Sequence, residues 1–228
     1  MPEPHFSPEL FRFLTQLARN NDREWFAENK AWYERDVRDP LLRFIGDVAA
    51  PLRAISVTIT ADPRPSGGSM FRIYRDTRFS KSKTPYKTHA SAQFRHLGHR
   101  DAHGPCFYLH LEPNKVFGGA GIWRPDGPSV QAIRQAIIEN ATLWKKITRS
   151  RGLRSQAAFG GDSLKRPPRG FDANHPLVED LKRKDFLVVT NWTEADAVKS
   201  DFLKRFVRFA KTVGPYNEFL ARSLELDW

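Results

Sequence analysis

Cys106-Phe107-Tyr108-Leu109-His110-Leu111-Glu112, Pro113-Asn114 and the run from Val116 to Trp123 read together as a β-hairpin. Successive side chains of a strand point to opposite faces, so Phe107, Leu109 and Leu111 share one face and His110 and Glu112 the other. Proline presets φ and asparagine tolerates a left-handed backbone, so Pro113-Asn114 supplies turn chemistry between the runs. A hairpin pairs its strands antiparallel, and the sheet around it is expected to follow suit.

Working outward, Asp126 to Ile147 predicts a helix with Val130, Ile133, Ile137, Ala141 and Trp144 at helical spacing. Arg149 to Arg169 has no period and reads as a loop, His175-Pro176 precedes a short helix to Lys184, and Phe186 to Thr190 reads as a strand. Phe202, Phe206, Phe209 and Val213 predict a helix, with Pro215 opening a last one through Phe219 and Leu224. Upstream, Ile55 to Ile59 alternates and is β-branched, Phe71 to Tyr74 alternates, and Thr88 to Phe94 is a weaker strand candidate. Three helices occupy the first fifty residues, starting at Ser7-Pro8, Asp22 and Asp39-Pro40. Helices at both ends and hairpin-linked strands between them argue an α+β fold: a mainly antiparallel central sheet with helices from the N- and C-terminal thirds packed on it. A doubly wound fold needs an alternation of strand and helix that is missing. The 228 residues fit a single domain, 1–228.

No apolar run approaches the ~18 residues of a membrane span. Met1-Pro2-Glu3-Pro4-His5 has neither the basic start nor the apolar stretch of a secretory signal, so a cytoplasmic protein without membrane attachment is expected. A single cysteine, Cys106, excludes an internal disulfide and a cysteine-built zinc site, and its apolar surroundings predict a buried structural thiol. Net charge is +11 and unevenly spread. Arg64 to Arg100 holds nine Lys or Arg against Asp76 alone, and Lys145 to Arg169 holds eight against Asp162 alone. Such blocks attract phosphates, nucleic acid or acidic proteins.

The denser block centres on Arg72, Arg75, Arg78, Lys81, Lys83 and Lys87, threaded with Phe71, Ile73, Tyr74, Phe79 and Tyr86. The aromatic thread implies that part of it sits on a folded body, which turns a solvated charge run into a site for a polyanion. Arginine forks match phosphate oxygens in pairs and lysine acts as a point charge. On a strand Arg72, Tyr74 and Asp76 would share a face; Asp76 would orient Arg75 or Arg78, and Tyr74 or Tyr86 would stack or donate a hydrogen bond. One carboxylate cannot neutralise this many cations. Lys165, Arg166 and Arg169 are candidates for a second wall of the same cleft.

Gly118-Gly119-Ala120-Gly121 lacks the ending of a P-loop, and Gly119 and Gly121 serve either close approach of backbone to phosphate or a kinked strand near the sheet edge. His89, His96, His99, His103 and His110 crowd one region. His96, His99 and His103 have ligand spacing only on a helix, which Gly98 and Gly104 oppose, and Arg95 and Arg100 repel a cation, so no metal site is expected. His110 and Glu112 would form an acid–base pair if Arg72 lies nearby, or the wet side of a half-buried sheet.

The string Arg72-Ile73-Tyr74-Arg75-Asp76-Thr77-Arg78-Phe79-Ser80-Lys81-Ser82-Lys83-Thr84-Pro85-Tyr86-Lys87-Thr88 resembles the signature of domain-of-unknown-function family 2461. Phe11, Phe13, Leu14 and Leu17 with Asn20-Asn21 and Trp25-Phe26 are similar to its N-terminal pattern. Gly119-Ala120-Gly121-Ile122-Trp123-Arg124-Pro125 and Lys165, Pro167, Gly170-Phe171 and His175-Pro176 resemble its later segments. The resemblance runs from about Phe6 to Phe219; Ser82 stands where the pattern has Asp, removing one partner for the cations. The family carries no established activity, so the resemblance implies no reaction and no cofactor. The residues themselves predict a phosphate-binding protein for nucleic acid or a nucleotide. An enzyme on an anionic small molecule, with Asp76, Glu112 or His110 as proton carriers, and a docking module for an acidic protein are the alternatives.

Overall fold

The computed structural model describes residues 3–76, 78, 83–98 and 104–228. Helices α1 (Pro8–Arg19), α2 (Arg23–Glu28), α3 (Lys30–Tyr33) and α4 (Asp39–Arg53) come first, with a π-helical turn, Glu34–Arg38, joining α3 to α4. Strands β1 (Ile59–Thr60), β2 (Ala90–His96), β3 (Cys106–Glu112) and β4 (Lys115–Ile122) follow, then α5 (Gly127–Glu139), α6 (Ala141–Thr148) and α7 (Arg151–Gln156). The chain ends with β5 (Ala158–Gly160), α8 (Val178–Leu181), β6 (Phe186–Trp192), α9 (Glu194–Ala197) and α10 (Phe202–Ser223). The sheet order is β1-β2-β3-β4-β6-β5 and every neighbouring pair is antiparallel, so the fold is α+β.

Register sorts the sheet into two faces. Leu109 lies between Ala92 and Gly118, and Phe107 between Phe94 and Ala120, which puts the apolar positions of β2, β3 and β4 on one side. Phe94, Phe107, Leu109, Leu111, Ala120, Ile122, Phe186 and Val188 are all at most 1% exposed. Helix α10 lies over them: Phe206 packs 5.5 Å from Phe94, and Trp192 of β6 meets the edge of Phe202 at 5.2 Å. Burying each large apolar side chain contributes roughly 2–3 kcal/mol, so this face anchors the fold. The opposite face carries Ser91, Gln93 and Arg95 of β2, Tyr108, His110 and Glu112 of β3, and Lys115, Phe117 and Gly119 of β4.

Several local expectations are corrected. Ile55 to Val57 is not a strand, because the amides of Ile55 and Ser56 donate to the Leu52 carbonyl at 2.9 and 3.0 Å and complete the end of α4. Phe71 to Tyr74 forms only isolated bridges, Met70 with Ala92 and Tyr74 with Tyr86. The helix expected over 126–147 divides at Asn140, whose side chain and backbone N–H both donate to the Ala136 carbonyl. The stretch read as loop from Arg149 holds α7, capped by Ser150 Oγ accepting from the Leu153 amide, and β5. Pro215 lies inside α10 and opens no new helix. Its missing N–H costs one ladder bond, and the buried Val213, Tyr216, Phe219 and Leu220 on either side hold the helix through it. Among the described residues no helix is long and apolar enough to cross a membrane.

Candidate functional site

The cationic string leaves the sheet edge as an arm. The Phe71 amide donates to the Ser91 carbonyl at 3.0 Å, fixing the arm's root beside β2. Its two sides then run antiparallel: the Arg75 amide donates to Pro85 O at 2.8 Å and the Lys87 amide to Ile73 O at 2.7 Å. Asn21, in the turn between α1 and α2, grips the returning side. Its Nδ2 donates to Tyr86 O and its Oδ1 accepts from the Tyr86 amide, both at 3.0 Å. The Tyr86 ring stacks on Phe26 at 4.2 Å between centroids and is 4% exposed. Core packing and a paired amide therefore hold the stem.

The described cations end in different environments. Asp76 is taken by Arg78, whose Nε and Nη2 donate to its two oxygens at 3.0 and 2.7 Å and whose amide adds a third bond. Hydrogen bonds from Arg78 bring the Asp76 carboxyl down to about 2. Arg75 Nη1 donates to Thr84 Oγ1 at 2.6 Å, and Lys83 is exposed. Lys81 lies outside the described residues. Lys87 is half-buried: its Nζ donates to Arg72 O at 2.8 Å and sits 5.2 Å from the centre of the Phe71 ring. Burial, then the neighbouring Arg72 charge, lower its pKa. Among the described residues neither Lys87 nor Arg72 has a carboxylate partner. Tyr74 is 58% exposed and packs obliquely on Tyr86, 5.4 Å between centroids.

Two small clefts flank this pair. One, of about 400 Å³, is lined by Arg75, Asp76, Tyr86, Lys87, Thr88 and His89. The other, of about 430 Å³, includes Gly67, Gly68, Phe71, Arg72, Gln93 and Arg95. The adjoining sheet face is aromatic. Phe71 meets Tyr108 edge-on at 6.2 Å, Phe117 stacks on His110 at 4.6 Å, and His89 lies 4.5 Å from His110. His110 is held at both ring nitrogens, by Tyr108 Oη at 3.1 Å and Glu112 Oε2 at 3.0 Å. Burial, then the nearby His110, push the His89 imidazole down to about 4. Burial lowers His110 as well, against the pull of Glu112. Both shifts favour the neutral imidazole, the form that ligates a metal.

Gly119 lies beside Tyr108 on the polar face of the sheet, and Gly121 pairs with Leu187 of β6. The strand β4 lies in the interior of the sheet, not near its edge. Gly121 has φ +118°, and a Cβ there would stand 1.9 Å from the Phe186 carbonyl oxygen, so it permits close approach of β6. A Cβ on Gly119 would meet only Tyr108, at 3.7 Å. Lys165 is exposed in the segment after β5, where the Leu164 amide bonds Lys182 O ahead of β6. The arm is rooted at β2, three strand spacings or about 14 Å away from β6, so the two basic blocks sit towards opposite sides of the sheet.

His89, Phe71, Tyr108, Ser91 and Phe117 complete the site without having been assigned to it from the sequence. The available signal was alternation: Ser91, Gln93 and Arg95 continue, across the β2–β3 register, the polar face that His110 and Glu112 define. Cys106 is buried, and desolvation pushes its thiol up to about 11, which opposes formation of the thiolate. No curated protein matches the chain. The family model described as Conserved hypothetical protein (DUF2461) matches residues 9–219, and the chain belongs to that family.

Proposed function

We propose that the arm and the adjoining sheet face bind a phosphate-bearing ligand of nucleotide size. The observation that carries this is the pairing of Lys87 with Arg72: two neighbouring cations, one desolvated and depressed by the other, with no acid between them. An anion bridging them relieves that repulsion and gains charge-assisted hydrogen bonds. The clefts, at about 400 and 430 Å³, fall in the size range of small-molecule sites. Phe71, Tyr108 and Phe117 offer faces and edges to a planar heterocycle beside the phosphate. Arg78, tied to Asp76, contributes field more than contact.

The same geometry favours a second reading, an enzyme acting on such an anion. The Tyr108–His110–Glu112 chain provides an oriented base, and Lys87 and Arg72 would stabilise charge developing nearby. The experiment is a fluorescence titration of a labelled nucleoside triphosphate at low and moderate salt, with a single-stranded oligonucleotide in parallel. Lys87→Ala and Arg72→Ala are each expected to weaken triphosphate binding about tenfold, the worth of one charge-assisted contact. Lys165→Ala is expected to leave it unchanged. Absence of binding at low salt, or an equal loss on Lys165→Ala, overturns the reading. Tight binding of the oligonucleotide alone moves the ligand class from nucleotide to single strand.

A further inference from the structure

We propose that His89, His110 and Glu112 form a binding site for a divalent first-row transition metal. Each offers one ligand atom, and the three atoms lie within 4.8 Å of one another. Bonds of about 2.1 Å in a tetrahedral centre set ligand atoms about 3.4 Å apart, so closing on an ion takes a contraction of an ångström or so. The chemistry of the set is that of a catalytic centre: two imidazoles and one carboxylate suit zinc, iron, cobalt or nickel, and three protein ligands leave positions open to a ligand.

The surroundings fit. His110 is 6% exposed, and its ring stacks on Phe117 and is hydrogen-bonded at both nitrogens, so its orientation is set before an ion arrives. Tyr108 Oη, 3.1 Å from His110 Nδ1, is the outer partner that a metal-bound imidazole requires. The hydroxyl accepts as readily as it donates. It therefore serves the tautomer that bonds Glu112 through Nε2–H and the one that leaves Nε2 bare for the metal. Glu112 is steadied by Thr88 Oγ1 at 3.5 Å on its other oxygen.

Two cations stand close: Lys115 Nζ, 3.9 Å from Glu112 Oε2, and Lys87. Lys115 is 64% exposed on a long stem and can swing away. Two imidazoles and one carboxylate leave a divalent ion with a net positive charge, and the open positions then face the cations that attract an anion. The expected ligand of the loaded site is an anionic oxygen donor shared between the metal and Lys87. The metal site does not depend on the anion reading, and a titration containing only protein and metal separates the two.

The test uses the full chain without an affinity tag, stripped by chelator and dialysed into a non-coordinating buffer. Zn²⁺ is titrated calorimetrically, and Co²⁺ is followed by its visible absorption. One ion per chain is expected, with the Co²⁺ bands of a four- or five-coordinate site. His89→Gln and Glu112→Gln are expected to weaken binding at least about 100-fold, while His175→Gln, distant in sequence and outside the set, leaves it unchanged. His89 precedes β2 and lies outside the paired strands, so its variant tests the site with the sheet intact, as circular dichroism will verify. A Zn²⁺-dependent rise in melting temperature is expected for the natural chain and absent from His89→Gln. Retained stoichiometry and affinity in both ligand variants, or no binding by the natural chain, overturns the proposal.

Discussion

Gly121→Ala is expected to destabilise the protein by at least about 4 kcal/mol, a large part of the roughly 5–15 kcal/mol that holds a typical domain folded. The obstacle is backbone on both sides. Gly121 pairs with Leu187 across β4 and β6, and an added Cβ would stand 1.9 Å from the Phe186 carbonyl oxygen and 3.0 Å from its carbon. No side chain can rotate to relieve that contact; the strands would have to part. The backbone at φ +118° adds strain for any L side chain. Gly119→Ala, two residues away, is expected to change stability by less than about 1 kcal/mol, because its Cβ meets only Tyr108 at an ordinary 3.7 Å. Denaturant unfolding of the two variants measures the contrast. Equal tolerance of both would show that the β4–β6 register is wrong. It would also return the glycine segment to candidacy as a phosphate cradle.

Asn21→Ala is expected to release the arm without unfolding the body. The amide of Asn21 satisfies both the N–H and the C=O of Tyr86, and alanine leaves both to find water. At about 1 kcal/mol per bond, the open population of the stem rises roughly 30-fold. Trypsin cutting after Lys87, half-buried in the stem, follows that population when opening is fast, so cleavage there should accelerate by a similar factor while melting of the core shifts little. Nucleotide affinity should be weakened in the same variant, since Lys87 follows Tyr86 directly. Asn21→Asp retains the acceptor and loses the donor, and an intermediate rate is expected. Unchanged cleavage in Asn21→Ala would mean that the Phe26–Tyr86 stack alone holds the arm.

These two sites show what could be read from the chain and what could not. The β3–β4 hairpin was legible almost to the residue because Phe107, Leu109 and Leu111 carry their alternation within seven positions. Ile55 to Val57 carries an equally good local alternation, but the carbonyl of Leu52 claims its amides, a competition visible only once α4 has an end. Pro215 punctuates the sequence as a helix start, yet packing on both sides outweighs one lost hydrogen bond. The charge of the arm was legible; its fastening was not, since Asn21 and Tyr86 are 65 positions apart. His89 likewise joins His110 only through the Ser91–His110 pairing across β2 and β3. The histidines weighed from spacing were His96, His99 and His103. His96 instead bonds the Asp227 carbonyl at 2.5 Å, and the other two lie outside the described residues.

An amide-detected NMR titration of the full chain with an unlabelled nucleoside triphosphate locates the bound phosphate directly. Saturable shifts are predicted at Arg72, Lys87, Thr88 and His89 and along β3 at Tyr108 and His110, with residues 145–169 silent. Shifts confined to residues 145–169, or none at all at low salt, would contradict the assignment of the anion site to the arm.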